Sequence, residues 1–150
     1  MKMRNVPLLV TALCVCAPAF AAKSEKLEFY SASTDLALPF SDAVRYGDLL
    51  FLSGKIGNEP GAMKLAPGGI KGETRQALEN IKDAVERYGS SMDRVIKCTV
   101  FLADMGEFAA MNAVYAKYVV DPPPTRSTVQ VARLPRDARV EIDVIAVLDT

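Results

Sequence analysis

The chain has 150 residues, half of them hydrophobic, with 18 Lys and Arg set against 18 Asp and Glu and no histidine. Balanced charge leaves no basic footprint for nucleic acid. The missing imidazole removes Ser-His-Asp catalysis, imidazole acid–base work and the commonest zinc arrangements, so any chemistry runs on arginine, carboxylates, hydroxyls, amides and backbone.

Lys2 and Arg4 precede an uncharged run from Val6 to Ala22 that contains Ala19-Phe20-Ala21, a small-x-small cleavage pattern. This reads as a secretory signal peptide over residues 1–21 ahead of one domain over residues 22–150, which makes the mature protein periplasmic or secreted. The apolar core before Pro18 is about a dozen residues, short of the roughly 20 that span a bilayer, so no membrane contact is expected after cleavage. Leu13 and Val15, just before Cys14 and Cys16, are larger than lipoprotein processing accepts. Cys14 and Cys16 leave with the leader, and Cys98, on an apolar strand pattern, reads as a small buried residue with no disulfide partner.

Along the domain, Leu27 to Ser33 alternates as an edge strand, and Ala43–Tyr46 with Leu49–Ile56 form a hairpin about Gly47-Asp48. From Glu73 the period becomes helical: Ala77, Leu78, Ile81, Ala84, Val85 and Tyr88 share one face, Arg75, Glu79, Lys82, Asp83 and Glu86 the other, and Gly89 stops the helix. Val95–Leu102 is a β-branched strand. Phe108, Met111, Val114, Tyr115 and Tyr118 then recur at helical spacing until Pro122-Pro123-Pro124 ends them. Strands over Arg126–Arg133 and Arg139–Leu148, joined by a polar turn with Pro135 and Asp137, close the order βββ-α-β-α-ββ. Two amphipathic helices on one face of a mixed sheet make a two-layer α+β domain.

The last strand sends Val140, Ile142, Val144 and Ala146 one way and Glu141, Asp143, Ile145 and Val147 the other. The domain's own helices cover only one sheet face, so the second, burying Ile145 and Val147 and setting Glu141 near an interface, is expected to pack against copies of the chain. The proline run delivers Arg126 on a stiff lead-in. On the residues alone Arg126 is either a solvated strand-edge side chain or a clamp for a planar carboxylate, whose geometry its fork of donors matches.

Four motifs occur in order: Leu38-Pro39-Phe40-Ser41-Asp42-Ala43-Val44-Arg45, Leu52-Ser53-Gly54-Lys55-Ile56-Gly57, Thr74-Arg75-Gln76-Ala77-Leu78-Glu79-Asn80 and Pro124-Thr125-Arg126-Ser127-Thr128-Val129. With Phe108, Asn112, Tyr115 and Val140-Glu141-Ile142, they make the chain resemble the RidA (YjgF) family from about residue 28 to the C-terminus. The resemblance implies a chorismate-mutase-like homotrimer whose intersubunit clefts hydrolyse 2-imino acids, such as 2-iminobutanoate and 2-iminopropanoate, to 2-keto acids and ammonia without metal or organic cofactor. In it Arg126 would hold the substrate carboxylate, Glu141 would handle water as the second catalytic group, and Ser53, Gly54, Asn112, Phe40 and Thr128 would line the pocket. Phe40 stands where many active members have tyrosine, Lys55 replaces a frequent glutamine, and Thr128 replaces a cysteine found in some. The competing expectation is a non-catalytic trimer that binds small carboxylates or acts as a holdase-like chaperone. A ribonuclease reading, attributed to relatives of this type, runs against the balanced charge and the leader.

Overall fold

The computed structural model describes residues 26–31 and 39–149. The leader expected over residues 1–21, and Ala32 and Ser33 of the expected first strand, lie outside the described residues. The elements are β1 (Leu27–Tyr30), β2 (Ala43–Tyr46), β3 (Leu49–Ile56), α1 (Gly69–Arg87), β4 (Val95–Leu102), α2 (Phe108–Tyr115), β5 (Thr125–Gln130) and β6 (Val140–Val147). They form one six-stranded sheet in the order β1-β2-β3-β6-β4-β5, antiparallel except for the β4/β5 pair, which α2 connects. This is the mixed sheet and two-layer α+β domain that the sequence predicts.

The core is the sheet face under the helices. Leu50 and Leu52 of β3, Val100 and Leu102 of β4, and Ile142 and Val144 of β6 pack with Leu78, Ile81 and Val85 of α1 and Met111 of α2. Strict alternation along β6 buries Val140, Ile142, Val144 and Ala146 and leaves the intervening residues half-exposed. On the uncovered face, Phe29, Val44, Phe51 and Ile145 lie in register across β1, β2, β3 and β6. Phe29 there is 67% exposed and Phe51 39%, an apolar row that no other described residue covers.

Several boundaries differ from the sequence reading: β1 ends at Tyr30, α2 ends at Tyr115 short of Tyr118, and β6 is Val140–Val147. Two further differences have a local reason. α1 begins one turn before Glu73: Ile70 continues the buried stripe and Thr74 Oγ1 donates to the Ile70 carbonyl at 2.6 Å. Gly69 and Gly72, poor helix formers, hid that turn. β5 stops at Gln130 rather than Arg133 because its only neighbour, β4, ends at Leu102, whose carbonyl accepts a last bond from Val131 N–H at 2.9 Å.

Gly72 is required by close approach, since a Cβ there would lie 1.9 Å from the Pro67 carbonyl oxygen. Gly→Ala inside a helix ordinarily stabilises by about 1 kcal/mol. Here Gly72→Ala is expected to destabilise by about 2 kcal/mol through overpacking, read as a lower urea midpoint at matched protein concentration. A variant as stable as the parent contradicts this packing.

Candidate active site

Arg126 lies on the helix-covered side of the sheet edge, in register with buried Cys98. Its Nη1 donates to Asn112 Oδ1 of α2 at 2.8 Å, and its guanidinium carbon sits 4.6 Å from the Tyr115 ring centroid and 5.7 Å from that of Phe108. Cation–π contact of this kind is worth about 0.5–2 kcal/mol and orients the group without neutralising it. Among the described residues Arg126 has no carboxylate partner. Asn112, Tyr115, Val119, Pro124 and Arg126 line a cavity of about 530 Å³. Burial, with the Cys98 thiol adding to it, pushes the Tyr115 phenol well above its usual range, so it stays neutral beside the cation. Thr128, two residues along the same strand face, has a buried hydroxyl with no hydrogen-bond partner among the described residues. A half-buried arginine held by an amide and aromatic rings keeps donors free that could receive an external anion.

A second group gathers on β3 and β6. Leu52 pairs with Val144 and Lys55 with Ile142, so Ser53 and Gly54 together oppose Asp143. This β-bulge re-aims the end of β3. Ser53 Oγ donates to the Ser41 carbonyl at 2.7 Å and Ser53 N–H to the Asp42 carbonyl at 3.0 Å, fixing the segment that carries Phe40. The Glu141 carboxylate lies directly over Gly54, where a Cβ would come within 1.9 Å of Glu141 Oε1. A side chain at position 54 would displace that carboxylate. Phe40, Ser53, Gly54, Ile56 and Glu141 share a cavity of about 440 Å³. Burial first, and the neighbouring Asp143 charge second, push the Glu141 carboxyl above its usual value of 4.5. Among the described residues no cation pairs with it.

The expected site residues thus fall into two sets that one chain does not join. Arg126, Asn112 and Thr128 occupy one, and Phe40, Ser53, Gly54 and Glu141 the other. Arg126, Cys98 and Val144 lie in register across β5, β4 and β6. Glu141 is three residues further along β6 on the opposite face, roughly 10 Å away along the strand and a further 10 Å across it by strand geometry.

Sequence reasoning missed the supports of the second set. Asn80 Nδ2 donates to the Ile56 carbonyl at 3.1 Å and the Asn58 carbonyl at 2.9 Å, while Gln76 Nε2 holds Asn80 Oδ1 at 3.0 Å. Their i,i+4 spacing in the third motif was the available signal. Lys55, aimed at the covered side by the bulge, pairs with Asp42 Oδ1, and Tyr88 O–H donates to Asp42 Oδ2 at 2.9 Å. The lysine that departs from the usual glutamine therefore anchors the residues beside Phe40.

A family described as endoribonuclease L-PSP matches residues 31–148. The chain is 47% identical over 108 residues to a RutC family protein of Pyrococcus horikoshii, covering 72% of this chain and 86% of that one. It is 41% identical over 109 residues to the 2-iminobutanoate/2-iminopropanoate deaminase of Mus musculus, covering 73% and 81%. The crystal structure of RidA from an Antarctic Psychrobacter superposes with a TM-score of 0.71 at 34% identity, covering 84% and 99%. A small α+β domain with an unpaired arginine at a sheet edge and an unpaired carboxylate over a β-bulge is the class these features define. The chain belongs to the endoribonuclease L-PSP family, to which the RidA proteins also belong.

Lys55 and Asp42 have side chains only 16% and 11% exposed. Replacing Lys55 by Met strands a buried carboxylate, and a loss of about 3 kcal/mol in unfolding free energy is expected. Lys55→Gln should cost less, because an amide still donates to Asp42. Equal stability for Lys55→Met and the parent, measured by urea denaturation, contradicts this anchor.

Proposed function

We propose that the protein is a deaminase of small 2-imino acids, of the 2-iminobutanoate/2-iminopropanoate kind, acting in clefts of a homotrimer where the Arg126 set of one copy faces the Glu141 set of another. The observation that carries this reading is the pair of unsatisfied, oppositely charged groups on opposite faces of one sheet, each in its own cavity. The exposed apolar row from Phe29 to Ile145 supports the assembly, since contact between copies removes it from water. The relatives' deaminase activity supports the chemistry.

In this reading the guanidinium of Arg126 takes the substrate carboxylate in bidentate geometry, and Asn112 and Tyr115 hold it in place. The imine carbon is already electrophilic when its nitrogen is protonated. Glu141 accepts a proton from water as the water oxygen bonds to that carbon, and returns it to the nitrogen of the tetrahedral adduct. The C–N bond then breaks, the hydroxyl proton passes through Glu141 to the departing ammonia, and 2-keto acid and ammonium leave. Its raised pKa brings Glu141 closer to working pH, which improves both transfers. The family's description as an endoribonuclease names a different chemistry. A single aromatic-walled cation is poorly suited to a polyanionic backbone, which wants a basic track.

Arg126→Ala removes a desolvated charge-assisted pair and is expected to lose about 2–5 kcal/mol of transition-state stabilisation, roughly 30-fold to several thousand-fold in kcat/KM. Arg126→Lys should fail substantially too, lacking the fork. The assay generates 2-imino acids with an amino-acid oxidase and traps the remainder with semicarbazide. Turnover unchanged in Arg126→Ala contradicts the proposal, and Arg126-dependent carboxylate binding with no imine loss would make the protein a binder instead.

Protonated Glu141 cannot accept a proton, so kcat/KM should fall as pH drops through its raised pKa, placing the acid limb above 4.5. Asp143→Asn removes the second cause of that rise and should move the limb down. Glu141→Gln should abolish the limb and lower kcat by about 10²–10⁴. An acid limb indifferent to both substitutions assigns the proton transfer to another group.

A further inference from the structure

The turn between β5 and β6 carries Arg133, Arg136 and Arg139, and two of them are neutralised within the fold. Arg133 Nε pairs with Asp137 Oδ1 at 2.7 Å, and Arg139 Nη1 with Glu107 Oε1 at 2.5 Å. Arg136 has no carboxylate partner among the described residues. Its Nη2 reaches only the Met63 sulfur, at 2.8 Å, and a thioether is a weak, uncharged acceptor. Arg136 lines the Glu141 cavity beside Phe40, Ile56, Asn58 and Pro135, and among the described residues is the one cation in its lining.

The backbone fixes this placement at a cost. Arg136 and Asp137 sit at φ 60 and φ 58, the left-handed region, where an L-residue gives up roughly 1–2 kcal/mol. Buried Leu134 and Ala138 pin the two ends of the turn, with Asp137 N–H donating to the Leu134 carbonyl at 3.2 Å and Ala138 N–H to the Pro135 carbonyl at 3.1 Å. Strain held between two buried anchors is the pattern of a functional position.

We infer that Arg136 is the specificity residue of this site and binds a second carboxylate, at the end of the substrate side chain, so that imines of dicarboxylic amino acids are the preferred class. The inference rests on the deaminase reading above, which places the α-carboxylate on Arg126. A side chain entering the Glu141 cavity meets the apolar walls of Phe40, Ile56 and Pro135, which suit methylenes, and then the negative field of Glu141 and Asp143. An acidic terminus would be repelled there unless a cation answered it, and Arg136 is that cation.

The test compares imines formed in place by L-aspartate and L-glutamate oxidases with alkyl imines formed by a general L-amino-acid oxidase, using semicarbazide trapping with the intact protein. Arg136→Asn keeps the left-handed backbone, which Asn tolerates. The ratio of kcat/KM for dicarboxylic to alkyl imines is expected to fall about tenfold in Arg136→Asn and to be largely restored in Arg136→Lys. A ratio that Arg136→Asn leaves unmoved, or a wild type that prefers alkyl imines, overturns this inference while leaving the Arg126 and Glu141 reading standing. A wild type that deaminates no imine of either class overturns that reading and this inference with it.

Discussion

A β-strand sends successive side chains to opposite faces, and the two helices of this domain cover only one of them. Every functional feature follows from that constraint. It puts Arg126 among the side chains of α2 and Glu141 on the bare face, and it leaves Phe29, Phe51 and Ile145 in a row that nothing else among the described residues shields. In the proposed reading, docking the bare face of one copy so that its Glu141 cavity opens on a neighbour's Arg126 would cover the apolar row and bring the two groups together in one event.

The electrostatics give that arrangement its purpose. Most charged groups packed against the domain are answered locally: Lys55 by Asp42, Arg139 by Glu107 and Arg133 by Asp137. Arg126 and Glu141 are among the groups left unanswered, each partly withdrawn from water, lining a cavity, and with no protein counter-charge among the described residues. Leaving a half-buried charge unpaired costs stability, and sites that do so are commonly those where a ligand or a proton completes the pairing. The β-bulge at Ser53 and Gly54 serves the same end. It spends one residue of strand regularity to open a space over Gly54 for the Glu141 carboxylate while turning Lys55 into the core.

Much of this was legible in the residues. Period-two alternation along β6 and period-3.6 alternation along α1 predicted the covered and bare faces, and Pro123-Pro124 predicted a stiff approach to Arg126. The four ordered motifs, with Asn112 and Glu141 outside them, pointed to the seven expected site residues; six of them line two cavities, and Thr128 lines neither. What was not legible depended on contacts between distant segments. Ile70 belongs to the helical stripe, but Gly69 and Gly72 disguised its turn, and the reason for Gly72 is the Pro67 carbonyl pressed against it. Lys55 read only as a departure from a frequent glutamine; strict alternation from Leu50 and Leu52 would turn residue 55 to the bare face, and the bulge reverses that. Nothing in the local sequence of Arg133, Arg136 and Arg139 says which of the three is left without a carboxylate, since Glu107 lies on another element.

The central claim, that Arg126 and Glu141 act from different copies, is tested most directly by co-expressing Arg126→Ala and Glu141→Gln chains with separable tags, purifying the mixed assemblies and measuring imine turnover. Each variant alone is expected to be inactive. In mixed trimers of either composition one of the three clefts should draw an intact Arg126 from one chain and an intact Glu141 from the other, restoring about a third of wild-type activity. Mixed trimers that form yet remain as inactive as the single variants would contradict the account, because they would require both groups to act from one chain.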